Sequence, residues 1–231
     1  MKRIKVKLIS LVSLYLFIFI MATNAIVEPS YKVLCSKDGV ILKYKRFTPD
    51  DAALNPHLKN TFLIDFEVCN SSVNMERFCN YNIFRLIYEV NRNDAIETLI
   101  LDEFKEPEIG SADMTLVFKR KGEDFGMKQK YMSLNIKLTE SGSNYVFECE
   151  TTYKNKTGLE LGDIIGKDSE QIQDATAVFC ISLLSSEKMR VQFMLSVPVP
   201  KIEQPSYIEH NLGMIMKKVL SRTKLFIENM K

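Results

Sequence analysis

The sequence predicts an all-β fold of about ten antiparallel strands, closed as a sandwich or a barrel, with an amphipathic α-helix at its C-terminal end. Three observations lead there. Apolar and polar residues alternate through most of residues 31–198, so that successive side chains point to opposite faces of a sheet. Turn-forming pairs and prolines interrupt the alternation at intervals. From about Tyr207 the apolar spacing lengthens to that of a helix.

The elements follow in order. Residues 31–36 and 40–47 read as a hairpin, because Asp38-Gly39 between them tolerates positive φ. Thr48 then reads as a helix cap with Pro49 in the first turn, and Asn55-Pro56 holds that helix to a turn or two. Phe62, Ile64, Phe66 and Val68 alternate with Leu63, Asp65, Glu67 and Cys69, the mark of a half-buried strand. The same alternation predicts strands over 83–90, 114–119, 132–138, 145–149 and 191–197. Residues 96–101 and 175–184 are more continuously apolar and read as strands covered on both faces.

No helix-length pattern separates these strands, which argues against a βαβ architecture and for antiparallel sheets with one wet face. Two longer loops are expected, at 102–113 and 156–174. The second holds Asp163, Asp168, Glu170 and Asp174, but their spacing is not that of a calcium loop, and it reads as solvated chain.

After Val197-Pro198-Val199-Pro200 a polar linker reaches Pro205. Ile208, Leu212, Ile215, Val219 and Phe226, with Met216, Leu220, Ile227 and Met230, then form a broad apolar face at helical spacing. Lys217, Lys218, Ser221, Arg222 and Lys224 fall on the other side. A stripe this broad suits a helix that packs on the sheet and covers an opening. A membrane surface is the alternative partner for a basic amphipathic helix.

The N-terminus sets the expected compartment. Lys2, Arg3, Lys5 and Lys7 precede an apolar run from Leu8 to Ala22, and Thr23-Asn24-Ala25 supplies a cleavage point, the layout of a secretory signal. The organisation expected is a signal peptide at 1–25, a β-rich domain at 26–200, and a linker and helix at 201–231 packing on the same domain. No later stretch is long and apolar enough to span a bilayer, so the expected destination is secreted or the endomembrane lumen. The leader takes four basic residues with it, leaving 27 basic against 29 acidic residues. A near-neutral chain lacks the basic excess that nucleic-acid binding calls for.

An exported chain is expected to oxidise its cysteines. There are five, Cys35, Cys69, Cys79, Cys149 and Cys180, so one stays free or joins a second chain in a disulfide-linked dimer. Cys69 and Cys79 are the first candidates for a bridge, because Asn70-Ser71-Ser72-Val73-Asn74 reads as a turn between them. Cys149 and Cys180 lie inside strand-like runs that are candidates for bridging as neighbours, and the connectivity stays open. None has the close spacing of a zinc site. Asn70-Ser71-Ser72 and Asn155-Lys156-Thr157 make Asn70 and Asn155 candidate glycan acceptors.

Catalytic motifs are missing. His57 and His210 are the only histidines, and neither stands in a metal or nucleophile motif. No metal, cofactor or catalytic residue is implied, and a non-enzymatic role is expected. The 14 phenylalanines, nine tyrosines and 11 methionines supply apolar lining, and pliable methionine suits an irregular pocket.

Cys35-Ser36-Lys37-Asp38-Gly39-Val40-Ile41-Leu42 resembles the opening of secreted ML lipid-recognition domains, with a cysteine, a glycine turn and an apolar first strand. Val178-Phe179-Cys180-Ile181-Ser182-Leu183 resembles the strand that holds that family's last cysteine. The resemblance implies a β-sandwich with lipid between its sheets. The chain departs from the pattern in its length and in lacking a cysteine soon after the first strand. The function expected is a secreted, non-enzymatic binding or interaction protein whose partner is another extracellular protein or a hydrophobic small molecule. The alternative is a carrier for a lipid or other hydrophobic small molecule.

Overall fold

Asp38 and Gly39 both take positive φ, 55° and 70°, and turn β1 (Lys32–Lys37) back onto β2 (Val40–Lys45). A tight two-residue turn of this hand matches the twist of the strands it joins. Thr48 and Asp51 then cap each other reciprocally around the start of α1 (Pro49–Leu54). The Thr48 amide donates to Asp51 Oδ2 at 2.8 Å and the Asp51 amide to Thr48 Oγ1 at 3.2 Å. Both contacts satisfy amides that a helix start leaves without partners.

The structure is a computed structural model and describes residues 30–92, 96–101, 111–118, 129–151, 169–171, 174–201 and 206–231. The leader at 1–25, the loops at 102–110 and 156–168, and Asn155 lie outside the described residues.

After α1 come β3 (Lys59–Cys69), a 3-10 turn at Met75–Phe78, α2 (Asn82–Asn91), β4 (Ile96–Leu101), β5 (Ser111–Phe118), β6 (Gln129–Ser141) and β7 (Asn144–Thr151). A short β8 (Ser169–Gln171), β9 (Thr176–Ser185), β10 (Lys188–Pro198) and a long C-terminal α3 (Ser206–Glu228) complete the chain. The strands form one sheet in the order β1-β2-β3-β10-β9-β7-β6-β5-β4, antiparallel throughout, with β8 added to β6 in parallel.

The antiparallel strands and the C-terminal helix are as the sequence predicts, but the closure differs. Among the described residues there is no second sheet for a sandwich, and β1 and β4 end the path instead of pairing into a barrel. One apolar face is what the alternation encodes. Helices, not strands, cover it here: α3 packs on β2 and β3, and α2 packs between α3 and β4.

The stretch at 83–90 is a second correction. Its alternation of Phe84, Leu86, Tyr88 and Val90 with Ile83, Arg85, Ile87 and Glu89 predicts a strand, but it lies within α2. The exposed residues are Asn82, Arg85, Glu89 and Arg92, and Ile83, Phe84 and Asn91 are buried, which is a helical period. Residues 111–113 and 169–171, expected as loop, are the start of β5 and all of β8.

Gly213 sets how closely α3 approaches the sheet. A Cβ there would lie 2.7 Å from Phe62 Cδ1 and 2.9 Å from Phe62 Cε1. Phe62 cannot yield, being fully buried and stacked on Tyr44 with ring centroids 4.6 Å apart. Alanine improves helix propensity by about 1 kcal/mol over glycine. Overpacking of a filled core costs about 1–3 kcal/mol. Gly213→Ala is therefore expected to lower stability in spite of the propensity gain, measured by denaturant unfolding. An unchanged or raised midpoint would mean that α3 does not seat on Phe62.

Candidate functional site

The inner face of the sheet is built from rows of residues that the strand register places side by side. One row runs Leu42, Ile64, Phe193, Phe179, Phe147 and Leu138 across β2, β3, β10, β9, β7 and β6. The next runs Tyr44, Phe62, Leu195, Ala177, Cys149, Ile136 and Ala112. All but Leu138 are buried. The outer face is polar at its centre, where Arg190 donates to Asp65 through two bonds, Nε to Oδ1 at 2.9 Å and Nη2 to Oδ2 at 2.6 Å. That pairing holds the Asp65 carboxyl below the usual carboxylate range.

The second row changes size along its length. Phe62 lies under α3, and farther along the row Ala177 and Cys149 are short before it reaches Ile136 and Ala112. Ala177 and Cys149 are each only 3% exposed, so short side chains in this strip are nevertheless shielded from water. The strip is bordered by a cluster of aromatic rings. Phe84 of α2 stands edge-on to Phe147 at 5.2 Å and tilts over Phe179 at 5.6 Å. Tyr81 meets Phe147 at 5.8 Å, and Phe179 reaches Phe193 at 6.2 Å. Such edge and tilted contacts each add about 0.5–1.5 kcal/mol to the burial of the rings.

Polar groups are few in this interior. The Tyr81 hydroxyl accepts the Leu138 amide at 3.2 Å, and burial pushes the phenol up from its ordinary value. Asn91 is fully buried where α2 meets α3 and donates through Nδ2 to the Val219 carbonyl and to Thr223 Oγ1, each at 3.2 Å. Sequence reasoning missed it, because 83–90 was read at the wrong period. Its recurrence on the face of Ile83, Phe84 and Ile87 was the signal available.

The other candidate residues do not gather at one place. Asn70 is buried, and its Nδ2, the atom a glycan would take, donates to the carbonyls of Ile227 at 2.7 Å and Met230 at 2.9 Å. The expected surface acceptor is thus a cap on the end of α3, satisfying carbonyls that the helix leaves unpaired.

All five cysteines are free thiols in the structure. The expected Cys69–Cys79 bridge is not formed. Cys69 is exposed at the end of β3, and Cys79 is buried behind the 3-10 turn, its Sγ donating to the Met75 carbonyl at 3.7 Å. Cys149 and Cys180 sit on adjacent strands, but Cys149 faces Ala177 and Cys180 faces Val146. An offset of three residues puts them on opposite faces of the sheet, which rules out a bridge. Cys35 lies on the edge strand β1, opposite Leu42.

Burial pushes the Cys149 thiol up to about 12. The Cys79 thiol also stands at about 12, raised by burial and by Glu76 and Glu140. Both are protonated at neutral pH and make poor nucleophiles. Among the described residues no three metal-ligating side chains converge, and no helix is long and apolar enough to cross a membrane.

No family model and no curated relative matches the sequence. Solved structures share the fold. Human STARD10 superposes with a TM-score of 0.59 at 11% identity, over 90% of this chain and 76% of that one. The human StarD13 lipid transfer and protein localization domain gives 0.58 at 11% identity, over 87% and 91%. Human StAR-related lipid transfer protein 5 gives 0.57 at 5% identity, over 96% and 97%. The likeness is to StAR-related lipid transfer domains, and it overturns the resemblance to the ML domain. The segment at Cys35–Leu42 is an edge hairpin, and Cys180 lies on the outer face of a single sheet, not between two.

Native alkylation is expected to label Cys69 quickly and to leave Cys79 and Cys149 unmodified up to high pH, until the chain unfolds, as read by peptide mass spectrometry. A peptide joining Cys149 to Cys180 would overturn the register.

Proposed function

We propose that this chain is a non-enzymatic carrier that holds a lipid or other hydrophobic small molecule between the inner face of its sheet and the helices that cover it. The observation that carries the reading is the pair of short, water-shielded side chains at Ala177 and Cys149 beside the phenylalanine cluster. Ligand sites of this class are mostly apolar, largely preformed, and carry few polar groups. The fold supports the same reading, since two of the structures it resembles, those of StarD13 and StAR-related lipid transfer protein 5, carry lipid transfer in their names.

The chain's own residues would act by shape and by exclusion of water. The aromatic rings offer flat apolar walls, and the short side chains leave depth for an acyl chain or a ring system. Burying apolar ligand surface contributes roughly 25 cal/mol per Å² before the costs of association. No bond is made or broken.

Solvent extraction of the natively purified protein, followed by mass spectrometry, is expected to release a bound lipid. Ala177→Leu is expected to lower that loading several-fold with little loss of thermal stability, because the added side chain takes the ligand's place. If the strip were instead filled by protein, the same substitution would destabilise the fold by about 1–3 kcal/mol. That result, together with a lipid-free extract, would overturn the reading.

We also propose that the carrier is exported, on the strength of the basic and apolar leader before Ala25. The intact mass of the chain from its native secretion is expected to begin after Ala25 and to carry no glycan at Asn70. A full-length cytosolic product would remove the proposal of export and leave the ligand reading standing.

A further inference from the structure

The outer face of the sheet carries more than the Arg190–Asp65 pair. Next to that pair along the strands, Leu63, Met194 and Val178 stand side by side on β3, β10 and β9. Ile41, Cys180 and Val146 adjoin them on β2, β9 and β7. All six are only half-buried. The described helices that pack on the sheet lie on its other side, α3 on Phe62 and α2 on Phe147 and Phe179. A contiguous apolar patch outside the core marks an interaction site.

The charges that flank this patch complement one another through a twofold axis. β2 and β7 stand two places from β10 on opposite sides, and both run parallel to it. Through the register, Lys43 and Glu148 share the level of Met194, Lys45 and Glu150 that of Ser196, and Ile41 and Val146 that of Gln192. Lys45 also reaches the Phe47 ring, at 5.2 Å. A half-turn about a line along β10 in the plane of contact exchanges the two flanks. It sets Lys43 opposite the partner's Glu148, Lys45 opposite the partner's Glu150 and Ile41 opposite the partner's Val146. Each contact then occurs twice, as an isologous interface requires. A half-turn about a line across the strands would instead set Lys43 against its own copy and Glu148 against its own. The charges therefore select one orientation.

The residues on the axis fit it as well. Met194 meets its own copy and adapts its shape. Gln192 and Ser196 each donate and accept, so each can pair with itself. Arg190 falls on the axis at one end of the patch, where two bonds to Asp65 already match its charge. At ordinary strand spacing and rise the patch is about 24 Å wide from β2 to β7 and about 20 Å long from Arg190 to Ser196. Two such faces bury about 1,000 Å² between them, where specific interfaces begin. Sheets stack face to face in this way with their strands within about 30° of each other.

We propose that two copies of this chain associate through the outer faces of their sheets, about a twofold axis along β10. The dimer is non-covalent, and it leaves the inner face and its helices unobstructed, so it stands apart from the carrier reading.

Sedimentation equilibrium of the natively purified chain, in reducing buffer, tests the proposal. A monomer–dimer equilibrium with a Kd below about 100 μM is expected at low salt, weakening as salt screens the flanks. Lys43→Glu and Glu148→Lys are each expected to weaken it about tenfold or more, because each sets two like-charge pairs across the axis. An equimolar mixture of the two variants is expected to return to within about twofold of the unaltered affinity, since the reversed charges then meet opposite ones. Should either variant fail to fold, Lys45→Glu and Glu150→Lys make the same test one level along. A chain that is monomeric at about 100 μM would overturn the proposal. A dimer that either variant leaves unweakened would do the same, as would weakened variants that the mixture does not restore.

Discussion

The structure depends on one contact, the seating of α3 on the inner face of β2 and β3. A single antiparallel sheet with one apolar face cannot stand in water unless that face is covered. Gly213 makes the cover close, because the helix backbone lies where a side chain would strike Phe62. Asn70 fixes the other end by capping the carbonyls of Ile227 and Met230. Between them Met216, Val219, Leu220 and Thr223 are buried. Phe62 and Asn70 sit near opposite ends of β3, so the helix follows that strand and is held at both ends.

The helix cannot cover the whole sheet. It lies over β2 and β3, and the remaining strands need another roof. α2 supplies part of it, with Phe84 on the rings of Phe147 and Phe179 and Asn91 against α3. In the row beside those rings the sheet's own side chains are short at Ala177 and Cys149. The inner face thus divides into large residues and a short break at Ala177 and Cys149, between Leu195 and Ile136. The carrier reading follows from this division and not from any reactive group. The two most buried thiols are protonated, and the pair of Arg190 with Asp65 lies on the outer face.

Much of the fold was legible from local pattern. Asp38-Gly39, the Thr48 cap, the stop at Asn55 and the start of the last helix near Tyr207 each depend on neighbours in the chain. The candidate site was hardly legible. Phe147, Phe179 and Cys149 meet only through pairings between distant strands, and Asn91 was hidden by a stretch whose aromatic and β-branched residues fit both periods. Asn70 and the cysteines misled for a related reason. A sequon or a thiol is a local sign, and its meaning changes once Asn70 is found capping a helix and Cys149 is found facing away from Cys180.

By itself the sequence determined that the strands are amphipathic, that most run antiparallel, and that a helix with a broad apolar face ends the chain. Those properties are set by side-chain order, which the backbone turns directly into faces. Only the tertiary structure decided that the covering layer is helical and not a second sheet, which strands are neighbours, and that Asn91 is buried between two helices. Alternation states that a face must leave water, and it is silent about what will cover it.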